Sequence, residues 1–361
     1  MLAEHYYPLS FSSYELDEYL AKGWFRGSIS MYRSDFLCLE ESLQTVINIR
    51  LPLQNHTFKK KQRRITKHVM NRFQVKTQPF QNSLQKEMLY QNHRHRFKGF
   101  LHHDLHSYMN GQEGRVMSEE IFDTYEVSVY EEDKLIAFSL FDLGSSSMAS
   151  ILGVFDNDYA AYSLGTFTML KEIEYGMENS FQYYYPGYTL HDSTWFDYKL
   201  RLGKMEFYYD KKEWQPIEKL ENVYHTSDAF KDKMITVQEL ADIFEVPHKM
   251  ITYPGFSFAY FDFDTLYYLR SPWFMILFND KIENDAWVIE YWSETEEYVV
   301  SKIEIAVKFD LHDQLQMSES ALNSPTNCLD LLRYKVIYLK DKNPYGLLMF
   351  LLNARSQEID D

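Results

Sequence analysis

The order of predicted elements in the middle of the chain constrains its fold more than any other feature. Two strand-like runs, 125–140 and 147–155, lead into the glycine turn 162–167 and a helical stretch at 168–176. An aromatic strand at 181–185 and a turn at Pro186-Gly187-Tyr188 follow. A glycine turn between a strand and a helix presents free backbone N–H groups at the positive end of the helix dipole, which suits an anionic group. An ordinary β-turn-α connection gives the same pattern, so the turn alone assigns no function.

The motifs around this turn resemble those of a known enzyme family. In chain order they are Asp142-x-Gly144, Phe155-Asp156-Asn157-Asp158, Ser163-Leu164-Gly165-Thr166, Gly187-Tyr188 and Tyr198-Lys199-x-Arg201. As a set they resemble the C-terminal half of the aminoacyl-tRNA–protein transferases, the arginyl- and leucyl-transferases that extend protein N-termini. The resemblance covers about residues 120–218. The chain departs from the family at Tyr162, where an arginine is usual, and at Pro186, where a leucine is usual.

A second block near the N-terminus resembles the same family. It comprises Leu16 to Arg26, Tyr32-Arg33, Ile49-Arg50 and Phe58 to Arg64. Two blocks in the family's order make a chance similarity improbable. The remaining 140 or so residues show no such resemblance.

The element order also predicts the fold class and the domains. Three strands, a turn, a helix and a strand form the core of an N-acetyltransferase-like (GNAT) fold, to which the transferase family is similar, so a mixed α/β fold with a splayed central sheet is expected. The predicted domains are a basic N-terminal unit at 1–118, a GNAT-like aminoacyl-transferase unit at 119–220 and an acidic α+β extension of unknown role at 221–361.

Local patterns predict further elements outside this core. They are a short helix at Tyr14 to Ala21, a hairpin-like pairing of 28–32 with 45–51, a basic helix at Lys61 to Phe73, a helical piece at Leu84 to Met109, a helix at Thr236 to Phe244 capped by Thr236, and strands at 273–278, 286–292, 299–309 and 334–339.

The distribution of charge points to nucleic acid despite a net charge of −16. Residues 42–103 contain thirteen Lys and Arg against the single Glu87, which gives +12 in this window. A local basic stripe is what phosphate binding requires, because affinity follows the patch and not the total charge. The predicted tRNA-binding residues are Lys59, Lys60, Lys61, Arg63, Arg64 and Lys67. A solvated helix face, or pairing with the acidic C-terminal part, is the alternative.

Composition argues against a metal centre, a cofactor and a membrane span. Related arginyl-transferases commonly carry a Cys-x-x-Cys and a later Cys-Cys pair, whereas this chain has only Cys38 and Cys328. One thiolate cannot hold a four-ligand site, so no metal is predicted there. His102 and His106 would share a helix face, but a structural or tRNA-contacting role is favoured over a metal site. We expect no cofactor, no signal peptide or membrane span, and a cytoplasmic protein.

The resemblance implies aminolysis of an aminoacyl-tRNA ester by the α-amine of an acceptor protein. The ester is already activated and an α-amine has a pKa near 7.7–8.0, so positioning and oxyanion stabilisation should supply most of the rate. Aminoacyl-tRNA and acceptor proteins with particular N-terminal residues are the expected partners, with arginine as the amino acid transferred.

The resemblance to the family implies roles for particular residues. Asp142 would accept a proton or hold the incoming ammonium, and Tyr188 would donate to the ester oxygen; a turn aspartate and a packing tyrosine are the alternatives. The predicted donor-binding residues are Ser163, Leu164, Gly165, Thr166, Tyr198 and Lys199. Arg26 and Arg33 would bind an acidic acceptor side chain, or else form surface salt bridges.

Two other functions remain open at the level of sequence. An acetyl-CoA-dependent N-acetyltransferase would share the fold, although Phe167 stands where its pyrophosphate loop has a small residue. A non-catalytic relative that binds N-termini or RNA would explain the departures at Tyr162, Pro186 and the cysteines.

Overall fold

A computed structural model shows a mixed α/β protein whose described residues form two compact units. It describes residues 3–39, 42–97, 102–111, 121–191, 193–210, 212–222, 226–256, 268–279, 282, 285–307 and 324–360. The core unit comprises 5–33 and 46–223, and the second unit comprises the described residues of 1–4, 34–45 and 224–361. The division at 118 and 220 expected from the sequence remains a prediction.

The helices and strands are numbered in chain order. The helices are α1 (Ser13–Ala21), α2 (Lys60–Met70), α3 (Leu84–His93), α4 (Leu105–Asn110), α5 (Leu164–Glu178), α6 (Thr226–Ile243) and α7 (Pro344–Asp360). The strands are β1 (Ala3–Tyr6), β2 (Phe25–Gly27), β3 (Ser30–Ser34), β4 (Phe36–Leu39), β5 (Ser42–Pro52), β6 (Gln74–Pro79), β7 (Thr124–Glu131), β8 (Lys134–Leu143), β9 (Ser147–Phe155), β10 (Tyr183–Leu190), β11 (Glu206–Tyr209), β12 (Glu213–Pro216), β13 (His248–Thr252), β14 (Trp273–Leu277), β15 (Asp285–Trp292), β16 (Glu297–Val307) and β17 (Leu331–Asp341). Short 3-10 turns lie at Arg94–Arg96, Asn157–Tyr162, Lys199–Arg201 and Ile217–Asn222.

The core unit is built on one large sheet in the order β12-β11-β5-β10-β9-β8-β7-β6. Strands β7, β8 and β9 form an antiparallel meander, and helix α5 then returns the chain so that β10 starts parallel to β9. This is the predicted three-strand, turn, helix, strand order, and the expected mixed α/β, GNAT-like fold class is confirmed.

Strand β10 departs from the expected path at Pro186. The sequence predicted a strand ending at Tyr185 and a turn over 186–188, but β10 continues to Leu190 with a bulge between Tyr184 and Gly187. Proline cannot donate to a ladder, and Gly187 has a φ of +96°, which glycine adopts without strain. These two residues therefore bend the strand without reversing it. The sheet splays at this point.

Helix α5 begins four residues before the predicted start. Its N-cap is Ser163, in the left-handed region with φ 56° and ψ 43°, and Gly165 lies inside the first helical turn. The predicted glycine turn is therefore made by the 3-10 turn Asn157–Tyr162 and by Ser163. Leu164 and Phe167 bury the start of the helix against the sheet.

The N-terminal part of the core unit agrees with the sequence in its helices but not in its strands. Helix α1 is present and is capped by Ser12, which forms a capping box with Glu15. The basic helix is α2, whereas the predicted helical piece at 84–109 is interrupted after α3. The expected hairpin of 28–32 with 45–51 is wrong, because β3 pairs with β2 and β5 pairs with β10 and β11.

The second unit contains a five-stranded antiparallel sheet in the order β13-β14-β15-β16-β17, against which α6 and α7 pack. The four predicted strands correspond to β14 to β17. The predicted cap at Thr236 is wrong, because α6 starts at Thr226 and the Thr236 hydroxyl donates to the carbonyl of Asp232 within the helix. Among the described helices, none combines the length and the apolar character needed to cross a membrane.

Candidate functional site

The candidate site lies where β9 and β10 part. The two strands pair only from Tyr183 to Tyr185, and beyond Pro186 strand β10 continues beside β5. Gaps at the carboxyl ends of parallel strands are the usual ligand sites of α/β sheets. Successive side chains alternate here, so Tyr184 packs with residues of α5 and Tyr185 packs with residues of α1 on the opposite face.

On the α5 face the site contains a buried carboxyl group. Glu172 is 0% exposed, and one of its oxygens accepts a hydrogen bond of 2.7 Å from the Tyr184 hydroxyl. Its other oxygen, Oε1, forms no hydrogen bond of good geometry within the described part of the chain, although the Ser139 and Ser150 hydroxyls interact with the carboxyl group. Burial raises the pKa of Glu172 to about 7, and this outweighs the opposing hydrogen bonds. Tyr198 lies close enough to interact electrostatically with the carboxyl group.

Beside the splay, Lys199 is a half-buried cation without an acidic partner among the described residues. It lies in the 3-10 turn Lys199–Arg201, and its Nζ donates to the carbonyl of Tyr188 at 3.0 Å. The Nζ is also 4.8 Å from the ring centroid of Phe196. Burial lowers the pKa of Lys199 to about 7, so neutral and charged forms coexist near neutral pH.

On the α1 face Tyr188 belongs to an aromatic cluster. Its ring packs edge-on against Phe25 at 5.6 Å, and its hydroxyl shares a hydrogen bond with that of Tyr32. Burial raises the pKa of Tyr32 to about 12 and that of Tyr188 well above its usual range. Both phenols therefore stay protonated at physiological pH and can act as hydrogen-bond donors.

Asp142 and Arg26, to which the sequence gave separate roles, form one buried ion pair. An Asp142 oxygen accepts hydrogen bonds of 2.8 Å from Arg26 and 2.6 Å from the Thr124 hydroxyl. The side chains are 0% and 5% exposed, respectively. Burial raises the pKa of Asp142, and the Arg26 guanidinium opposes that shift. The guanidinium also lies 4.3 Å over the Phe122 ring, so both groups are held in place.

Arg33 lies apart from that pair. Its guanidinium donates to the carbonyl of Lys22 at 3.1 Å and lies 5.4 Å from the Trp24 ring. Arg33 is only half-buried, which leaves it accessible to a ligand.

The predicted donor-binding residues fall into two groups. Ser163, Leu164, Gly165 and Thr166 form the start of α5, where the first-turn amides have no partner inside the helix. Tyr198 lies close enough to Glu172 to interact with it electrostatically, and Lys199 is the next residue in the chain. Glu172 is eight residues, or about 12 Å, beyond the start of α5. The side chain of Phe167 is fully buried in the core, so its bulk does not crowd the first-turn amides as the sequence had led us to expect.

The predicted tRNA-binding residues share one exposed surface on α2. Those in the helix or at its start are all exposed, and no ion pair involves them within the described residues: Lys59, Lys60, Lys61, Arg63, Arg64 and Lys67. The first turn contains no acidic residue, so these cations oppose the helix dipole. Gln62 is instead buried, and its amide donates to the carbonyls of Arg201 and Leu202.

Tyr162, at the family position usually held by arginine, packs against the same helix. Its ring stacks on His68 at 5.0 Å and meets Phe73 edge-on at 4.9 Å. The start of α5 is thus joined to α2 by aromatic contacts.

Sequence reasoning missed Glu172, Gln62 and Tyr32. Glu172 shares a helix face with Thr168 and Gly176, at i−4 and i+4, and a charged residue on an otherwise small and apolar face was the available signal. Gln62 lies inside the family-like segment Phe58 to Arg64, and its position as an uncharged residue among cations was the available signal.

The described residues hold no cluster of three or more metal-ligating side chains. Asp104 caps α4, so His102 precedes that helix and does not share a helix face with His106, contrary to the predicted geometry. Cys38 lies in β4.

Comparisons with known proteins point in one direction. Residues 72–209 match a family model described as the arginine-tRNA-protein transferase C terminus. An aspartate/glutamate leucyltransferase of Helicobacter hepaticus is 34% identical over 82 residues, which cover 23% of this chain and 34% of that protein. One from Campylobacter jejuni is 26% identical over 189 residues, covering 51% and 75%. Arginyl-tRNA–protein transferase 1 of Saccharomyces cerevisiae is 35% identical over 74 residues, covering 20% and 15%.

Among solved structures, FemX aligns with 52% of this chain and 64% of its own, at 11% identity and a TM-score of 0.34. Of the leucyltransferases, this chain spans about a third of the length of the Helicobacter hepaticus protein and three quarters of the Campylobacter jejuni one.

Proposed function

We propose that this chain transfers an amino acid from charged tRNA to the α-amine of a protein N-terminus, as an aminoacyl-tRNA–protein transferase. The match of residues 72–209 to the family model supports this proposal, as does the similarity to the Campylobacter jejuni leucyltransferase. The observation that carries this proposal is the connection of Lys199 to the basic helix. Lys199 lies beside the splay, and the turn that holds it is bonded to α2 through Gln62. The proposed phosphate-binding surface of α2 is thereby hydrogen-bonded to the turn whose lysine would contact the reacting ester.

The proposed reaction forms a peptide bond and breaks an ester bond. The acceptor nitrogen attacks the ester carbonyl carbon, the carbonyl oxygen becomes negative, and the carbon–oxygen bond to the terminal ribose of tRNA then breaks. The amine loses one proton and the ribose oxygen gains one. Charged Lys199 stabilises the oxyanion, and its depressed pKa also makes it a suitable proton carrier between the two.

Tyr188 and Asp142 take different parts in this proposal. The Tyr188 hydroxyl stays protonated and donates toward the ester oxygen. Asp142 is buried in its ion pair with Arg26, so in this proposal it does not contact the incoming ammonium directly but acts on it through Arg26. Arg33, which is more accessible than Arg26, is the proposed contact for an acidic acceptor side chain.

The amino acid transferred is proposed to be arginine. The buried carboxyl group of Glu172 forms no ion pair within the described part of the chain, and a guanidinium would supply a charged partner. Leucine is the second candidate, since the Helicobacter and Campylobacter relatives are named leucyltransferases. A reaction that uses charged tRNA fits a cytoplasmic protein.

One assay separates these possibilities. The purified protein is incubated with labelled arginyl-tRNA, leucyl-tRNA or acetyl-CoA, and with peptides that begin with aspartate, glutamate or lysine. We expect label from arginyl-tRNA on the acidic peptides. Label from leucyl-tRNA alone would show that the amino acid transferred is leucine and not arginine. Label from acetyl-CoA alone would overturn the transferase proposal, and binding of tRNA without any transfer would indicate a non-catalytic relative.

The role of the basic helix is tested by its charges. Replacing Lys59, Lys60, Lys61, Arg63 and Arg64 by glutamine should weaken tRNA binding and reduce the log–log salt slope by about 0.7–0.9 for each lost phosphate contact. Replacing the exposed Lys340 and Lys342 of the second unit is the matched control. Equal effects of the two sets would mean that α2 has no special role.

A further inference from the structure

The turn that carries Lys199 depends on one side chain from α2. Within the turn the Leu202 amide bonds the carbonyl of Lys199 at 3.0 Å, and the carbonyls of Arg201 and Leu202 are left at its end without a turn partner. The Nε2 group of Gln62 donates to both, at 3.1 Å and 2.8 Å. Gln62 therefore closes the turn from outside.

The same side chain also fixes the start of α2. Its Oε1 accepts a hydrogen bond of 2.6 Å from the amide of Lys59, the N-cap residue. Gln62 is 6% exposed, whereas its neighbours Lys61 and Arg63 are exposed. The Gln62 amide thus forms three hydrogen bonds, and they lie between the cationic surface of α2 and the turn of Lys199.

We propose that Gln62 is a positioning residue that fixes the distance between the phosphate-binding surface of α2 and Lys199. The inference rests on the proposed function: tRNA bound on α2 would bring its ester end to a lysine held at a set position relative to that helix. Ile65 and Val69 attach α2 to the core further along the helix, but Gln62 bonds its first turn directly to the turn of Lys199. Misplacement of reacting groups by about 1 Å can cost about 100-fold in rate.

At the other end the turn is attached to β10 by a hydrogen bond of 2.9 Å from the Thr189 hydroxyl to Asp197. Loss of Gln62 would therefore leave Lys199 near the opening but release it from α2. A small donor, which does not reach α2, should not depend on that attachment, whereas full-length tRNA should.

The test compares two donors on Gln62→Leu and Gln62→Glu; the second variant keeps the acceptor oxygen for Lys59 but loses the two donors. With full-length aminoacyl-tRNA we expect kcat to fall about 10- to 100-fold. With the aminoacyl ester of adenosine the rate should change by less than about two-fold, and tRNA affinity should change as little, because no phosphate contact is removed. Gln85→Leu is the matched control, since Gln85 also bonds two backbone groups, Asp133 and Leu135, away from the site.

An equal loss with both donors would overturn the proposal and make Gln62 a local support of Lys199. No loss with either donor, or a loss of tRNA affinity, would overturn it as well. If the Leu variant does not fold, the Glu variant gives the same comparison. A wild-type protein that transfers nothing from tRNA would refute the proposed function, whereas an active wild type with unaffected variants refutes only the role of Gln62.

Discussion

Two regions of the core unit each contain a buried glutamate and a lysine that is at least half-buried, and only one of the regions pairs its two residues. Under α3, Lys86 and Glu126 form an ion pair of 2.5 Å in which the side chains are 4% and 0% exposed. Gln78 and Ser128 also donate to Glu126. At the splay, neither Lys199 nor Glu172 forms an ion pair with a described residue, and burial brings the pKa of each to about 7. The same residue types therefore form a structural ion pair in one region and have the shifted pKa values that are typical of functional sites in the other.

The difference follows from the sheet. Glu126 lies on β7, which has a strand on both sides, so its surroundings are closed and every buried group needs a partner. At the splay the ladder between β9 and β10 ends after Tyr185, and this is where the proposed substrate would supply the partners. Four predictions test this contrast.

The largest effect is expected at the closed pair. Lys86→Met leaves the Glu126 carboxylate buried without its cation, and it should lower the free energy of unfolding by about 3–5 kcal/mol. Urea unfolding measures this. The double variant Lys86→Met with Glu126→Leu should recover most of the loss, while the fraction of the single variant that folds keeps its activity. A loss below about 1 kcal/mol would show that the pair is as dispensable as a surface ion pair.

Lys199→Met should instead affect catalysis and spare stability. Removing a cation that stabilises the oxyanion should lower kcat about 10²–10³-fold, with no destabilisation, because the lysine has no acidic partner among the described residues. Single-turnover rates with charged tRNA measure the chemical step. In the wild type, the rate should decline above pH 7 as Lys199 loses its proton. Lys199→Arg stays charged at every accessible pH, so it should retain part of the rate and show no such decline. A Met variant with normal kcat and raised KM would assign Lys199 to tRNA binding.

The pH dependence of stability should distinguish Glu172 from Lys199. The pKa of Glu172 is raised on folding, so the folded protein binds more protons than the unfolded chain between pH 4.5 and about 7, and its contribution to stability is lost as the pH rises through that window. The loss is on the order of 3 kcal/mol. The pKa of Lys199 is lowered, so its contribution grows as the pH rises from about 7 toward 10.5.

Urea unfolding between pH 4.5 and 9 measures both contributions. In Glu172→Gln the decline between pH 4.5 and 7 should disappear, while the rise above pH 7 stays. A wild-type curve without a decline in that window would mean that Glu172 is solvated and not enclosed.

Sequence predicted what depends on local pattern and on motifs. The strands and helix of the meander, the basic helix and the fold class are confirmed, and residues 72–209 match the family model that the motifs had indicated. Period, turn residues and motif order are properties of short segments, which is why the sequence could predict them. The bulge at Pro186, the partner of β5 and the ion pair of Asp142 with Arg26 could not be read in this way. Each depends on which strands meet across more than a hundred residues, as the contact of Arg26 with Asp142 does.

The smallest effect is expected at Tyr162. Its replacement tests whether the start of α5 is only packed, like the surroundings of Glu126, or also approached by a ligand, as proposed for the splay. Tyr162→Arg restores the residue usual in the family but removes the ring contacts with His68 and Phe73. Aromatic pairs contribute about 0.5–1.5 kcal/mol, so the variant should lose about that much stability. Tyr162→Phe, which keeps the ring, should lose almost none. If tRNA phosphates approach this turn, the new cation should also steepen the log–log salt slope of binding by about 0.7–0.9. An unchanged slope with the expected loss of stability would leave Tyr162 a packing residue and confine phosphate binding to α2.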